Sequence, residues 1–95
     1  MSYAQQLKDR LTNKHSHTDA GESEDGFRKW NGSDHFNWSA YRETLADIGN
    51  VWDSRIDSRD AGRQYYIWVK FKDNSVYTCN VFNNGTSFYE QVYEY

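Results

Sequence analysis

The 95-residue chain has one cysteine, no proline and no apolar run that approaches the ~18 residues of a membrane span. Because Cys79 is alone, an internal disulfide and a metal site built from several cysteines are both excluded. We interpret Cys79 as a small buried hydrophobic residue in a strand. The lack of disulfides and of a span, together with a polar N-terminal sequence, predicts a cytoplasmic protein that does not bind membranes.

A large charge of one sign is also missing. The formal net charge is −3, which argues against a protein whose main task is to neutralise the phosphates of a duplex. The charge is too small to indicate a nucleic-acid mimic. Direct binding of nucleic acid is therefore less favoured than binding of a protein, including a protein of a nucleic-acid-binding complex.

Recognisable catalytic motifs are absent as well. The sequence has no phosphate-binding glycine loop, no Gly-x-Ser-x-Gly and no His-Glu-x-x-His. His15 and His17 lie in a polar stretch that offers no rigid shell for a metal, so we interpret both as solvated. Asp34 and His35 have no visible nucleophile as a partner. The sequence therefore predicts a protein without catalytic activity, metal or cofactor.

Aromatic side chains are abundant instead. They make up 18% of the chain and outnumber Leu, Ile and Val together. Each can bury on the order of 150–250 Å², so one domain spanning residues 1–95 can form a core without disulfides.

The spacing of apolar residues predicts two helices. Apolar residues recur every four positions over residues 3–13 and predict a short helix. The polar residues 14–25 are interpreted as a flexible linker and residues 26–30 as a short strand. A long amphipathic helix is predicted between caps at Asn37 and Gly62. Its apolar stripe consists of Trp38, Tyr41, Leu45, Ile48, Trp52 and Ile56.

Three alternating segments, residues 63–71, 75–82 and 87–94, predict an antiparallel meander, because the connections between them are rich in Asn, Asp and Gly. The predicted fold class is α+β: an N-terminal helix and a long amphipathic helix packed on a three- to four-stranded antiparallel β-meander. The predicted core face of the meander comprises Tyr65, Ile67, Val69, Phe71, Tyr77, Cys79 and Val81.

The opposite face of the meander is the first candidate binding site, because aromatic residues occupy its positions too. Its members are Tyr66, Trp68, Lys70, Phe82, Tyr89 and Tyr93. Rings interleaved with a cation stack single-stranded bases or sugars, or they anchor a protein interface. The alternative is that the N-terminal helix covers this face as a second core layer.

Acidic residues on the exposed side of the predicted long helix form the second candidate site. Glu43 and Asp47 lie one turn apart, as do Asp53 and Asp57. Such a ridge fits the positively charged groove of a nucleic-acid enzyme. More often, however, such a ridge is an ordinary solvated face, and the arginines interspersed in residues 42–63 weaken the idea of an acidic site.

The sequence thus favours a small non-catalytic protein-binding module that uses these two sites or residues 90–95. Small, acidic chains without motifs are typical of inhibitors that phages or plasmids carry against host nucleic-acid-processing or defence complexes, of anti-CRISPR or anti-restriction type. The alternative is binding of single-stranded nucleic acid or carbohydrate by the aromatic face. Self-association into a homodimer through an uncovered strand edge also stays open.

Overall fold

The computed structural model describes residues 1–15, 18–22, 28–31, 36–82 and 85–94. Within these residues, the chain forms two helices and one six-stranded antiparallel sheet with the strand order β1-β2-β6-β5-β4-β3. The elements are α1 (Tyr3–Thr12), β1 (Thr18–Glu22), β2 (Arg28–Asn31), α2 (Trp38–Ile48), β3 (Val51–Arg59), β4 (Gln64–Phe71), β5 (Ser75–Phe82) and β6 (Ser87–Glu94). The α+β class is confirmed.

Both helices pack on the same face of the sheet, which we call the helix face. Leu7 and Leu11 of α1 and Tyr41 of α2 are buried in one cluster with the core residues of β4 and β5. The predicted core residues all belong to this cluster or pack against it: Ile67, Val69, Phe71, Tyr77, Cys79 and Val81 are buried, and Tyr65 is half-buried. The predicted core face of the meander is confirmed.

The prediction that the second helix runs on towards Gly62 is wrong. Its N-cap is as predicted, because the Asn37 side chain accepts a hydrogen bond from the Ala40 N–H at 2.9 Å. The helix ends at Ile48, however, since Gly49 and Asn50 both have positive φ angles, 61° and 55°. Two consecutive left-handed residues stop the helix and redirect the chain into a strand.

The second half of the predicted helix is strand β3. Residues 53–59 pair with β4 residue for residue, and the two strands are joined by a tight turn in which Gly62 has φ 84°. Trp52 and Ile56, predicted on the apolar helix stripe, are consequently 71% and 50% exposed. The helical spacing of these two residues did not reflect burial, because β3 lies at the edge of the sheet.

The sheet also extends beyond the predicted meander at its other edge. Residues 14–25, predicted as a linker, contribute strand β1, which pairs with β2. Strand β2 covers most of the strand predicted at residues 26–30 and joins the meander through β6.

The start of α1 is fixed to the turn between β4 and β5 by Asp73. Its carboxylate accepts hydrogen bonds from the Tyr3 N–H and from the Ser75 N–H, both at 3.0 Å. The Ser75 hydroxyl, in turn, accepts from the Ala4 N–H. Slight burial raises the pKa of Asp73, but hydrogen bonds from Ser75 and Tyr3 outweigh it, and the net effect is a pKa below 3.8.

Replacing Asp73 with Asn is therefore expected to lower stability at neutral pH. A carboxylate with a lowered pKa in the folded state stabilises the fold above its unfolded pKa, and this contribution is lost as the pH falls through the folded value. The stabilities of the wild type and of Asp73→Asn should consequently converge as the pH drops below 3.8. Urea unfolding at pH 7 and at several acidic values measures this, with the exposed Glu43→Gln as control. A difference that does not change with pH would contradict the expectation.

Candidate functional site

The face of the sheet opposite the helices carries the predicted aromatic site, and we call it the outer face. The pairing register puts the relevant side chains on the same side: Tyr66 and Tyr89 both lie opposite Asn80, and Trp68 lies opposite Thr78. The outer face comprises Asp53, Arg55, Asp57 and Arg59 of β3, Tyr66, Trp68 and Lys70 of β4, Val76, Thr78, Asn80 and Phe82 of β5, and Tyr89, Gln91 and Tyr93 of β6.

No element among the described residues covers the outer face. Helix α1, the predicted candidate for a cover, contacts α2 and the helix face, where the Tyr3 ring lies 6.0 Å from that of Phe71. Four outer-face rings are half-buried and Tyr93 is 37% exposed. The half-buried rings are Tyr66, Trp68, Phe82 and Tyr89.

Two arginines that sequence reasoning did not assign to this face lie over its rings. The Arg55 guanidinium carbon is 5.1 Å from the Trp68 ring centroid, and that of Arg59 is 5.5 Å from the Tyr66 centroid. Both distances fit cation–π contacts. The signal was available in the sequence, because charged residues at 53, 55, 57 and 59 alternate with period two, as in a strand.

The rim of the outer face mixes both signs of charge. Asp53 lies opposite Lys70, and Asp57 lies opposite Tyr66. Partial burial raises the pKa of Tyr66, with further contributions from Tyr93 and Asp57, while the nearby arginines oppose the rise. The Tyr66 hydroxyl therefore stays protonated at neutral pH and can donate a hydrogen bond to a ligand.

The centre of the outer face is closed by its own side chains. Val76 is fully buried although it points away from the helices, and it lies between Lys70 and Tyr93 in the register. Towards the other end of β5, Phe82 and Tyr89 pack edge to face with ring centroids 5.4 Å apart. Contacts with the two arginines and between Phe82 and Tyr89 thus hold four of the five outer-face rings in place before any ligand binds.

The predicted acidic ridge does not exist as one surface. Glu43 and Asp47 lie on α2, where Asp47 forms an ion pair with Arg10 at 2.6 Å. Asp53 and Asp57 lie on β3 and face the other side of the sheet. The four carboxylates were predicted in one row only because residues 37–61 were assigned to one helix.

His15 is not the solvated side chain that the sequence predicted. Its Nδ1 donates to the Leu11 carbonyl at 2.8 Å, and its Nε2 accepts from the Asn37 N–H at 2.9 Å. The ring lies 4.8 Å from that of Phe36. His15 therefore links the end of α1 to the start of α2. His17, Asp34, His35 and Tyr95, also considered from the sequence, lie outside the described residues.

A second group of reactive side chains lies in the core. The Tyr77 hydroxyl donates to the Glu90 carboxylate at 2.7 Å, and Cys79 lies opposite Glu90 in the sheet. Burial raises the pKa of both Tyr77 and Cys79 far above the usual values, and the Glu90 charge adds to this. All three side chains are at most 2% exposed, so they are out of reach of a substrate in this conformation.

Within the parts of the chain that the structure describes, His, Cys, Asp and Glu side chains form no cluster suited to a metal ion.

No protein family, curated protein or solved structure matches this chain. The described helices are also too short and too polar to cross a membrane.

Proposed function

We propose that this protein is a small, cytoplasmic, non-catalytic module that binds another protein through the outer face. The observation that supports the proposal is the position of the two helices. Both lie on the helix face, so the outer face keeps five partly accessible aromatic rings and has no described element over it. Tyr and Trp are the side chains that most often dominate the binding energy of protein interfaces.

The charges on the outer face favour a protein partner over nucleic acid. Carboxylates at Asp53 and Asp57 alternate with the guanidinium groups of Arg55 and Arg59 along β3. A phosphate backbone following this edge would meet repulsion at every second charged position, whereas a protein surface can match an alternating pattern. The net charge of −3 acts in the same direction.

For the partner, we propose a host nucleic-acid-processing or defence complex. The protein would then be an inhibitor of anti-CRISPR or anti-restriction type, encoded by a phage or plasmid. This step rests on the small size, mild acidity and lack of catalytic motifs of the sequence. Binding surfaces on such complexes are basic, so the Asp53 and Asp57 carboxylates beside the rings provide complementary charge.

One observation favours binding of single-stranded nucleic acid as a second candidate. Arg55 and Arg59 bring cations to the rings of Trp68 and Tyr66. Stacked bases combined with such cations are the usual mode of single-strand recognition. The same rings would stack on sugars if the ligand were a carbohydrate.

Affinity capture from host-cell lysate tests these candidates. The tagged full chain and a Tyr66→Ala, Trp68→Ala double variant are each used with and without nuclease treatment. We expect the wild type to retain the same protein in both arms and the double variant to lose it. Loss upon nuclease treatment would favour the nucleic-acid candidate instead. Equal capture by wild type and variant would contradict the assignment of the outer face.

A further inference from the structure

Strand β3 leaves one long edge of the sheet open. It pairs with β4 on one side and is the last strand in the sheet order, so no described strand lies beside its other edge. Apart from Met1, its Trp52 and Ile56 are the most exposed large hydrophobic side chains among the described residues. A long edge strand with exposed apolar groups is a template for pairing with another strand.

The backbone N–H groups of β3 that face the open edge can be located. The Ser54 N–H donates to the Asp53 carboxylate at 2.8 Å, which indicates that it points to the open edge and not to β4. Successive N–H groups of a strand alternate in direction, so those of Ile56 and Ser58 face the same edge. Asp53, Arg55, Asp57 and Arg59 then hydrogen-bond through their backbones to β4.

The charged residues of β3 lie at equal distances on either side of Ile56, and the two members of each such pair have opposite charges. The register with β4 is regular from residue 53 to residue 59, a stretch with Ile56 at its centre. On the outer face this stretch reads Asp53, Arg55, Asp57, Arg59. Reading the strand in the opposite direction exchanges every Asp for an Arg, so the pattern is complementary to its own antiparallel copy.

We propose that β3 pairs antiparallel with β3 of a second copy of this chain, about a two-fold axis through Ile56. In this register, Arg55 lies opposite Asp57 of the second copy, and Asp53 lies opposite its Arg59. All four outer-face pairs are then of opposite charge, and the two Ile56 side chains meet on the other side. Each contact occurs twice, as a two-fold interface requires.

The charges also exclude the neighbouring registers. Sliding one strand by two residues in one direction puts Arg55 opposite Arg55 and Asp53 opposite Asp57 of the second copy. Sliding it by two residues in the other direction puts Asp57 opposite Asp57. Like charges directly opposite each other destabilise a sheet. Sliding by four residues keeps opposite charges but shortens the paired segment and separates the two Ile56 side chains. The sequence of β3 therefore selects a single register.

The local geometry suits these ion pairs. Because the charged residues hydrogen-bond to β4, they occupy the non-hydrogen-bonded positions towards the second copy, where paired Cα atoms are about 4.5 Å apart and the side chains are closest. The flat guanidinium of Arg55 over Trp68 keeps donors at its edge for a carboxylate. Pairing also frees the Asp53 carboxylate from its hydrogen bond with the Ser54 N–H. That N–H then donates to a backbone carbonyl of the second copy instead.

The dimer continues the sheet, so the outer faces of both copies lie on one side. The proposal does not depend on the function of that face. It predicts a concentration-dependent dimer of the purified protein, without any other partner.

Charge exchange tests the proposal by sedimentation at several concentrations. Arg55→Asp puts two carboxylates opposite each other twice, and Asp57→Arg does the same with two cations. We expect each variant to raise the dimer dissociation constant about tenfold or more. A chain carrying both changes should dimerise like the wild type. Mixing the two single variants should give a heterodimer, because one chain then has carboxylates at positions 55 and 57 and the other chain has guanidinium groups at both.

Cysteine crosslinking tests the register itself. Ile56→Cys should crosslink with itself under mild oxidation, since directly opposite Cα atoms fall within disulfide range. Ser54→Cys alone should not, because the two copies of residue 54 are displaced by about 14 Å along the strands, but it should crosslink to Ser58→Cys. A wild type that stays monomeric at every concentration, or a dimer that ignores the charge exchange, would overturn the proposal.

Discussion

Replacing Leu7 with Ala is expected to lower the free energy of unfolding by about 2–5 kcal/mol. Leu7 is fully buried between α1 and the helix face, in one cluster with Phe71 and Tyr77. Removing its side chain leaves a cavity at the apolar stripe by which α1 is attached. Because an isolated helix of 10 residues is marginal in water, we expect α1 to lose much of its helicity at elevated temperature before the sheet unfolds.

Chemical unfolding followed by circular dichroism measures this effect. The control is Asp9→Ala, at an exposed position on the same helix, which should change stability by less than about 0.5 kcal/mol. If Leu7→Ala cost no more than the control, α1 would not be docked on the helix face. The assignment of the outer face as uncovered would then lose its basis, since α1 is the element predicted from the sequence as its alternative cover.

The meander was predictable because local and long-range signals agree there. Tyr65, Ile67 and Val69 alternate with residues of the other face, and the connections at residues 72–74 and 83–86 contain the residue types that tolerate positive φ. Asn74, for example, has φ 67°. With two closed hairpins and one strongly apolar face, only one register buries the core residues. The strand bounds consequently differ from the prediction by one residue at most.

Strand β3 was not predicted, because two periodicities overlap in residues 51–59. Trp52 and Ile56 continue the helical spacing of α2, while the charges at 53, 55, 57 and 59 follow a period of two. An edge strand buries neither of its faces fully, so its apolar residues carry little information about the core. The deciding feature was Gly49 followed by Asn50, a pair that readily adopts left-handed angles and ends the helix.

The assignment of β3 to a helix also limited what the sequence could predict about the candidate site. The rings of β4, β5 and β6 were assigned to one face correctly, because they lie within the predicted meander. The cations over those rings come from Arg55 and Arg59, which were assigned to a helix, so the site was predicted with Lys70 but without these two arginines. The pairing of β3 with β4 brings the rings and the guanidinium groups together. The spacing of apolar residues does not reveal this pairing.

Replacing Trp68 with Ala is expected to raise the dissociation constant for the captured protein partner by about 30-fold or more. Trp68 lies in the middle of the outer face, between Arg55 and Thr78 in neighbouring strands. Its ring is already held by the Arg55 guanidinium, so little rotamer freedom is lost on binding. Rigid aromatic side chains at the centre of an interface typically contribute about 2 kcal/mol or more when removed, roughly the stated change in affinity.

Titration calorimetry with the purified partner measures the change, and Trp52→Ala is the matched control. Trp52 is more exposed than Trp68 and lies at the irregular start of β3, outside the paired rows of the outer face. We therefore expect Trp52→Ala to change the affinity less than threefold, while thermal unfolding confirms that both variants fold. If both tryptophans mattered equally, the partner would bind the β3 edge and not the outer face. If neither mattered, binding would involve the helix side of the sheet, and the aromatic layer would serve only to shield Val76 and Thr78 from water.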